Sequence, residues 1–323
     1  MQTACSISRN GKGRWVVAVL IAACGCTIIY TQPQRDEGAR RVPVTADGSL
    51  QNPAWSPENH QLLCTQFQGG YNVEPADLLI VQVDSGVYRQ LVSDGSGNIN
   101  LPGASWNAAT RYIVFSSSRE PHDEIFIVPD TGSPGDEQRV TTRENYVAYE
   151  PSFSPDGQWV VFESHPVDVT GNGVITKYRV DGSQDYVALT SPDDDCRQPN
   201  WSPLGNRIVY QRLADGQWDL WLINPDGTAP QQLTTGSGDK TDASFSPDGQ
   251  HIVYSSDEGN LPFANLFVIP VSGGTPVRVT RYNGYDGAPS WSSDGTRIAF
   301  ESAPGDPDES SGTTLWVIDA PQL

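Results

Sequence analysis

Residues 243–255 read Ala243-Ser244-Phe245-Ser246-Pro247-Asp248-Gly249-Gln250-His251-Ile252-Val253-Tyr254-Ser255. The stretch divides at Pro247-Asp248-Gly249, where a residue of fixed φ is followed by one free to take positive φ, so a tight turn is expected there. On either side stand short runs of aromatic and β-branched residues, which favour strands. Ala243–Ser246 is the first strand and His251–Ser255 the second. Asn265–Ile269 and Pro276–Thr280 follow as a third and a fourth.

The same pattern recurs along the chain. An aromatic, then Ser or Asn, then a turn, begins at Trp55, Trp106, Phe153, Trp201, Phe245 and Trp291, with spacings of 51, 47, 48, 44 and 46 residues. That period matches one four-stranded propeller blade. Second strands recur after each turn, as in Tyr112–Phe115, Trp159–Phe162, Ile208–Tyr210 and Ile298–Phe300. Their nearly continuous apolar character suits sheets covered on both faces. The sixth unit reaches its third strand at Thr314–Asp319, and the segment Arg40–Thr45 resembles the fourth strands Val277–Thr280 and Gln231–Thr234. The expected fold is therefore all-β: a six-bladed β-propeller of four-stranded antiparallel blades over residues 40–323, its last blade closed by the N-terminal strand. Composition agrees, with 31 Gly, 25 Pro and one Met. Cys64 and Cys196 fall in opposite blades, so two unpaired, buried thiols are expected.

The string Phe-Ser-Pro-Asp-Gly followed by an Ile/Val-Val-Phe/Tyr strand resembles the propeller repeat of TolB and its relatives, over residues 40–319. Full TolB proteins also carry an N-terminal α/β domain, whereas here about 15 residues separate Cys24 from the first strand. Prolyl oligopeptidase relatives use similar propellers fused to a hydrolase domain. A shared propeller does not by itself assign a function.

Arg9, Lys12 and Arg14 precede the apolar stretch Trp15–Ala23, the layout of an export signal. Ile21-Ala22-Ala23-Cys24 resembles the bacterial lipobox, so residues 1–23 are expected to be a lipoprotein signal, Cys24 the lipidation site and residues 24–39 a linker. An uncleaved membrane anchor and plain secretion are the alternatives. In each case the propeller lies outside the cytoplasm, in the cell envelope. The formal net charge is −19, and beyond residue 41 the chain carries 14 basic and 37 acidic residues. Such a surface repels phosphate backbones and argues against nucleic acid as a partner.

Three residues before each repeat aromatic stand Asn52, Gly103, Glu150, Gln198, Asp242 and Ala288. The loops leading into the first strands should meet at one mouth of the central channel. Asn52, Glu150, Gln198 and Asp242 are therefore the candidate ligand-binding residues, able to hold a metal or a peptide's ammonium group. The alternative is that they satisfy backbone groups where the strands begin. Asp168 and Asn172, in Asp168-Val169-Thr170-Gly171-Asn172-Gly173, are weak candidates for calcium, since a calcium loop needs several oxygen ligands on a glycine turn. His60 and His251 are expected to be exposed near turns, and His122 and His165 to lie in longer loops within reach of a ligand. The repeat aromatics are expected to fill the blade interfaces.

No nucleophile turn, zinc helix, P-loop or dinucleotide fingerprint occurs, so no catalytic residue is singled out. The function expected is a non-catalytic, monomeric envelope propeller binding a protein or peptide partner across one face, with no cofactor. The alternative is an enzyme acting on a glycan, such as a metal-dependent lyase, a class in which some members use a similar propeller.

Overall fold

The computed structural model describes residues 35–93, 99–100, 106–168, 171–183 and 185–323, together with the strands Ser8–Arg9 and Trp15–Val16. These last two pair antiparallel in a two-stranded ladder. Residues 17–34, with Cys24, lie outside the described residues. Gly103 of the repeat series does as well. No helix among the described residues is long and apolar enough to cross a membrane.

The described residues from 35 to 323 form one compact unit of six four-stranded sheets. Blade 1 contains Ser49–Trp55, Gln61–Phe67, Ala76–Gln82 and Tyr88–Val92, and blade 2 contains Ile99–Asn100, Tyr112–Ser117, Glu124–Pro129 and Gln138–Arg139. Blade 3 is Tyr146–Phe153, Trp159–Pro166, Val174–Arg179 and Val187–Ala188, and blade 4 is Asp195–Trp201, Ile208–Ala214, Gln217–Ile223 and Gln231–Gln232. Lys240–Phe245, His251–Ser256, Asn265–Pro270 and Val277–Arg278 build blade 5. Blade 6 takes Tyr285–Trp291, Arg297–Ala303 and Thr314–Asp319 from its own repeat. Its fourth strand is Arg40–Arg41, paired antiparallel with Val317 and Trp316. The ring is closed as the sequence implies, by a strand from the other end of the propeller.

Each turn after a repeat aromatic is held by its own side chains. In blade 5 Ser246 Oγ donates to Asp248 Oδ1 at 2.6 Å, the Gln250 N–H donates to the same oxygen at 3.0 Å, and the His251 N–H donates to Ser246 Oγ at 2.9 Å. Blades 3 and 6 repeat the arrangement through Ser154 with Asp156 and Ser292 with Asp294. This is the physical content of the Ser-Pro-Asp-Gly string: a side-chain oxygen substitutes for the backbone acceptors that the turn leaves out of the ladder.

The core consists of six clusters, one at each blade interface. Each repeat aromatic packs against the preceding blade: Trp201 joins Val161 and Ile175 of blade 3, and Phe245 joins Leu220 and Leu222 of blade 4. Val42 and Val44, just past the closing strand, pack with Leu315 and Val317 against blade 1, so closure adds apolar burial as well as ladder bonds. Cys64 and Cys196 are buried and unpaired, and burial pushes both thiols up to about 12.

Candidate functional site

The first strands of blades 3, 4, 5, 6 and 1 contact one another in turn and line the central axis. Each of them carries a β-bulge two to three residues before its aromatic: the register shifts after Gln51, Tyr149, Arg197, Thr241 and Gly287. The bulged residues are Asn52, Glu150, Gln198, Asp242 and Ala288, all at positive φ between 44 and 55°. The candidate ligand residues thus lie within the first strands, not in the loops before them. A bulge turns one extra residue out of the ladder and re-aims it, and here the five bulges fall at the same level of adjacent first strands around the axis.

The backbone N–H groups of Gln198, Asp242, Ala288 and Asn52 are bound by the preceding blade. Glu150 accepts from Gln198, through its side-chain Nε2 at 3.1 Å and through its backbone N–H. Gln198 Oε1 accepts from the Asp242 N–H at 3.0 Å. Asp242 and Ser255 together accept from the Ala288 N–H. Ala288 has no polar side chain to offer the next blade, and Glu301 Oε2 takes its place, accepting from the Asn52 N–H at 2.9 Å. Glu150, Gln198 and Asp242 therefore do satisfy backbone groups, the simpler of the two roles their position allows.

A second polar ring, not recognised from sequence, backs the first. Thr65, Ser116, Glu163, Gln211, Ser255 and Glu301 stand ten residues after the six repeat aromatics, in the middle of otherwise apolar second strands, and all are buried. Aligning the repeats at their aromatics is the signal that finds them. Glu301 also accepts from the hydroxyls of Tyr71 at 3.2 Å and Tyr285 at 3.1 Å. Burial raises the carboxyls of Glu150 and Glu301 to about 7 and that of Glu163 to about 8.

Between blades 3 and 4 the mouth widens into a cavity of about 460 Å³. Glu150, Glu163 and Tyr149 line it from blade 3, and Gln198, Gln211 and Trp218 from blade 4. Arg197 also faces it, held by Asp195 through paired contacts of 2.9 and 3.0 Å and lying over Trp218. His165 belongs to the second strand Trp159–Pro166 and not to a loop, because that strand runs two residues past the mouth to pair with Val147 and Tyr146. It is half-buried, near Tyr149, and lines both this cavity and a neighbouring one of about 520 Å³.

The remaining candidates lie elsewhere. Asp168 is exposed, and Asn172 donates its side-chain amide to the Pro192 carbonyl at 3.1 Å. His122 sits in its loop with Nε2 3.7 Å from Glu124. His60 is exposed, whereas His251 is half-buried, since it opens a second strand and does not lie in the turn. No group of three or more His, Cys, Asp or Glu among the described residues is placed to hold a metal ion. The repeat aromatics fill the interfaces as expected, and all six also surround a cavity of about 330 Å³ at the opposite, turn-side mouth.

Fold and mouth together define a closed six-bladed β-propeller with a polar, acid-lined channel opening. Residues 183–305 match the family described as the TolB beta propeller domain. The chain is a TolB-like six-bladed β-propeller repeat protein. It is 34% identical over 109 residues to dipeptidyl-peptidase 5 of Porphyromonas endodontalis, covering 33% of this chain and 16% of the peptidase. It is 29% identical over 162 residues to the TolB homolog of Chlorobium luteolum, covering 50% of this chain and 35% of that protein. The chain thus spans a minor part of the length of both relatives. The crystal structure of TolB from Acinetobacter baumannii superposes with a TM-score of 0.60 at 16% identity, over 86% of this chain and 66% of that one, a likeness of fold.

Proposed function

We propose that the protein is a non-catalytic propeller of the cell envelope that binds a protein or peptide partner at the bulge-side mouth. The observation that carries this reading is the cavity between blades 3 and 4. It is concave, its polar groups converge from the two bulged first strands of blades 3 and 4 and the second strands beside them, and it joins a second groove at His165. Sites of a few hundred Å³ with convergent polar groups are where ligands or partner side chains seat. The likeness to the TolB homolog of Chlorobium luteolum and the apolar, basic-flanked N-terminal stretch support an envelope location, with Cys24 as the lipidated residue of a membrane-anchored protein.

Photo-crosslinking in the producing cells tests this. A benzophenone side chain is placed at Trp218, in the cavity, or at Leu204, exposed at the turn-side end of blade 4. A discrete crosslinked partner from position 218 and none from position 204 is expected. Equal labelling from both positions, or none from 218, would end the proposal.

A further inference from the structure

The corner between blades 3 and 4 holds more hydrogen-bond acceptors than its structural duties use. From blade 3 to blade 6, the first-strand side chains Glu150, Gln198 and Asp242 each bind the next blade's bulge N–H, and after Ala288 the second-ring residue Glu301 takes that duty. In blades 3 and 4 Glu150 and Gln198 perform it. Glu163 and Gln211 are thereby left without it.

Neither the Glu163 carboxyl nor Gln211 Oε1 has a hydrogen-bond donor among the described residues. Glu163 is 4% exposed and accepts no hydrogen bond among the described residues; its nearest cation, Arg197 Nε, stands at 3.8 Å. Gln211 is 6% exposed, and its Oε1 is buried with no hydrogen-bond partner among the described residues. Both line the same cavity. A buried acceptor without a donor is costly, and such an atom calls for an explanation. The charge points the same way. Arg197, bound to Asp195 and 3.8 Å from Glu163, is one cation among the three carboxyls Asp195, Glu163 and Glu150, which leaves the cavity with an excess of acidic groups. Tyr149 and Trp218 add aromatic rings beside them, surfaces that attract cations.

We infer that this corner binds a primary ammonium group, donating to Glu163 and to Gln211 Oε1. It deepens the proposed function, on which it rests: the partner would present an α-amino group or a lysine side chain. A compact ammonium carries three donors and no acceptor, which is what a pocket of a carboxylate and an amide oxygen lacks. A divalent cation fits less well, because among the described residues no three His, Cys, Asp or Glu side chains converge there.

The test is calorimetric titration of the full chain with Gly-Leu-Gly amide, its N-acetyl form, and acetyl-Lys-Leu-Gly amide, repeated with Glu163→Gln and Gln211→Leu. The amine-bearing peptides are expected to bind about ten-fold more tightly than the acetylated neutral one, as for a charge-assisted contact. The stronger of the two amines identifies its source. Glu163→Gln should abolish the preference and Gln211→Leu weaken it. Unchanged thermal melting shows that each variant folds, and either variant suffices if the other does not. Equal affinity for charged and neutral peptides, binding of none of them, or a preference that survives Glu163→Gln would overturn the inference. So would calcium binding in place of the amine. A partner captured from position 218 that shows no preference for a free amine leaves the proposed function standing and removes this one.

Discussion

Gly249 sits at φ +67° in the turn of blade 5, and a Cβ there would come within 2.8 Å of the Leu204 side chain. The equivalent residue in blade 1 is Asn59 at φ 61°. Left-handed backbone costs an ordinary L-residue about 1–2 kcal/mol, and asparagine pays less because its side chain bonds locally. Gly249→Ala is therefore expected to destabilise the protein by about 1–2 kcal/mol, and Gly249→Asn by less, in urea unfolding. Equal losses would mean that the Leu204 contact, and not the backbone conformation, sets the cost.

At the scale of elements, the closing strand is the decisive one. It pairs over only two residues, Arg40 and Arg41, yet Val42 behind it is 1% exposed in the cluster between blades 6 and 1. Val42→Asp would leave an uncompensated charge there, at about 3–5 kcal/mol. Blade 6 would then present an open edge, a template for association. A lowered melting temperature with aggregation by light scattering is expected. Val277→Asp, on an exposed outer strand, should change neither. The same comparison explains what the sequence makes legible. Six aromatics at a steady period and a misplaced fourth strand reveal the ring, because both are repeated or paired in sequence. The outer strands are shorter than expected: of Pro276–Thr280 only Val277–Arg278 pair in regular register, because Val279 and Thr280 both donate their N–H groups to the Leu266 carbonyl and the Thr280 hydroxyl takes the place of a ladder acceptor for the Leu266 N–H. Glu163, Gln211 and Glu301 were missed because each sits singly within an apolar run, and only alignment of one blade on another shows them to be a ring.

Across the whole molecule these buried carboxyls set the response to pH. Burial holds Glu150 and Glu301 at about 7 and Glu163 at about 8, the last with Glu150 and Asp195 adding to the rise and Arg197 opposing it. The unfolded chain releases the same protons near pH 4.3. A raised folded value means that the native state binds more protons, so the stability they contribute is complete below about pH 4.3 and is lost as pH rises through 7 to 8. The turn aspartates Asp156 and Asp248 act oppositely: their hydrogen bonds with Ser154 and Ser246 hold them below the ordinary carboxylate range, and their contribution is lost only as pH falls below about 4. Between these windows, just above pH 4, the combined contribution of these groups should be greatest. Self-repulsion of a chain at net charge −19 adds to the decline on the alkaline side. Melting at constant ionic strength should therefore occur at a lower temperature at pH 8.5 than at pH 5.5. In the triple variant Glu150→Gln, Glu163→Gln, Glu301→Gln the difference should shrink to what net charge alone supplies, because glutamine keeps an acceptor oxygen at each site without a proton to lose. A wild-type protein equally stable at both pH values, or more stable at 8.5, would show that the ring is ionised in the native state and that cations already present in solution neutralise it.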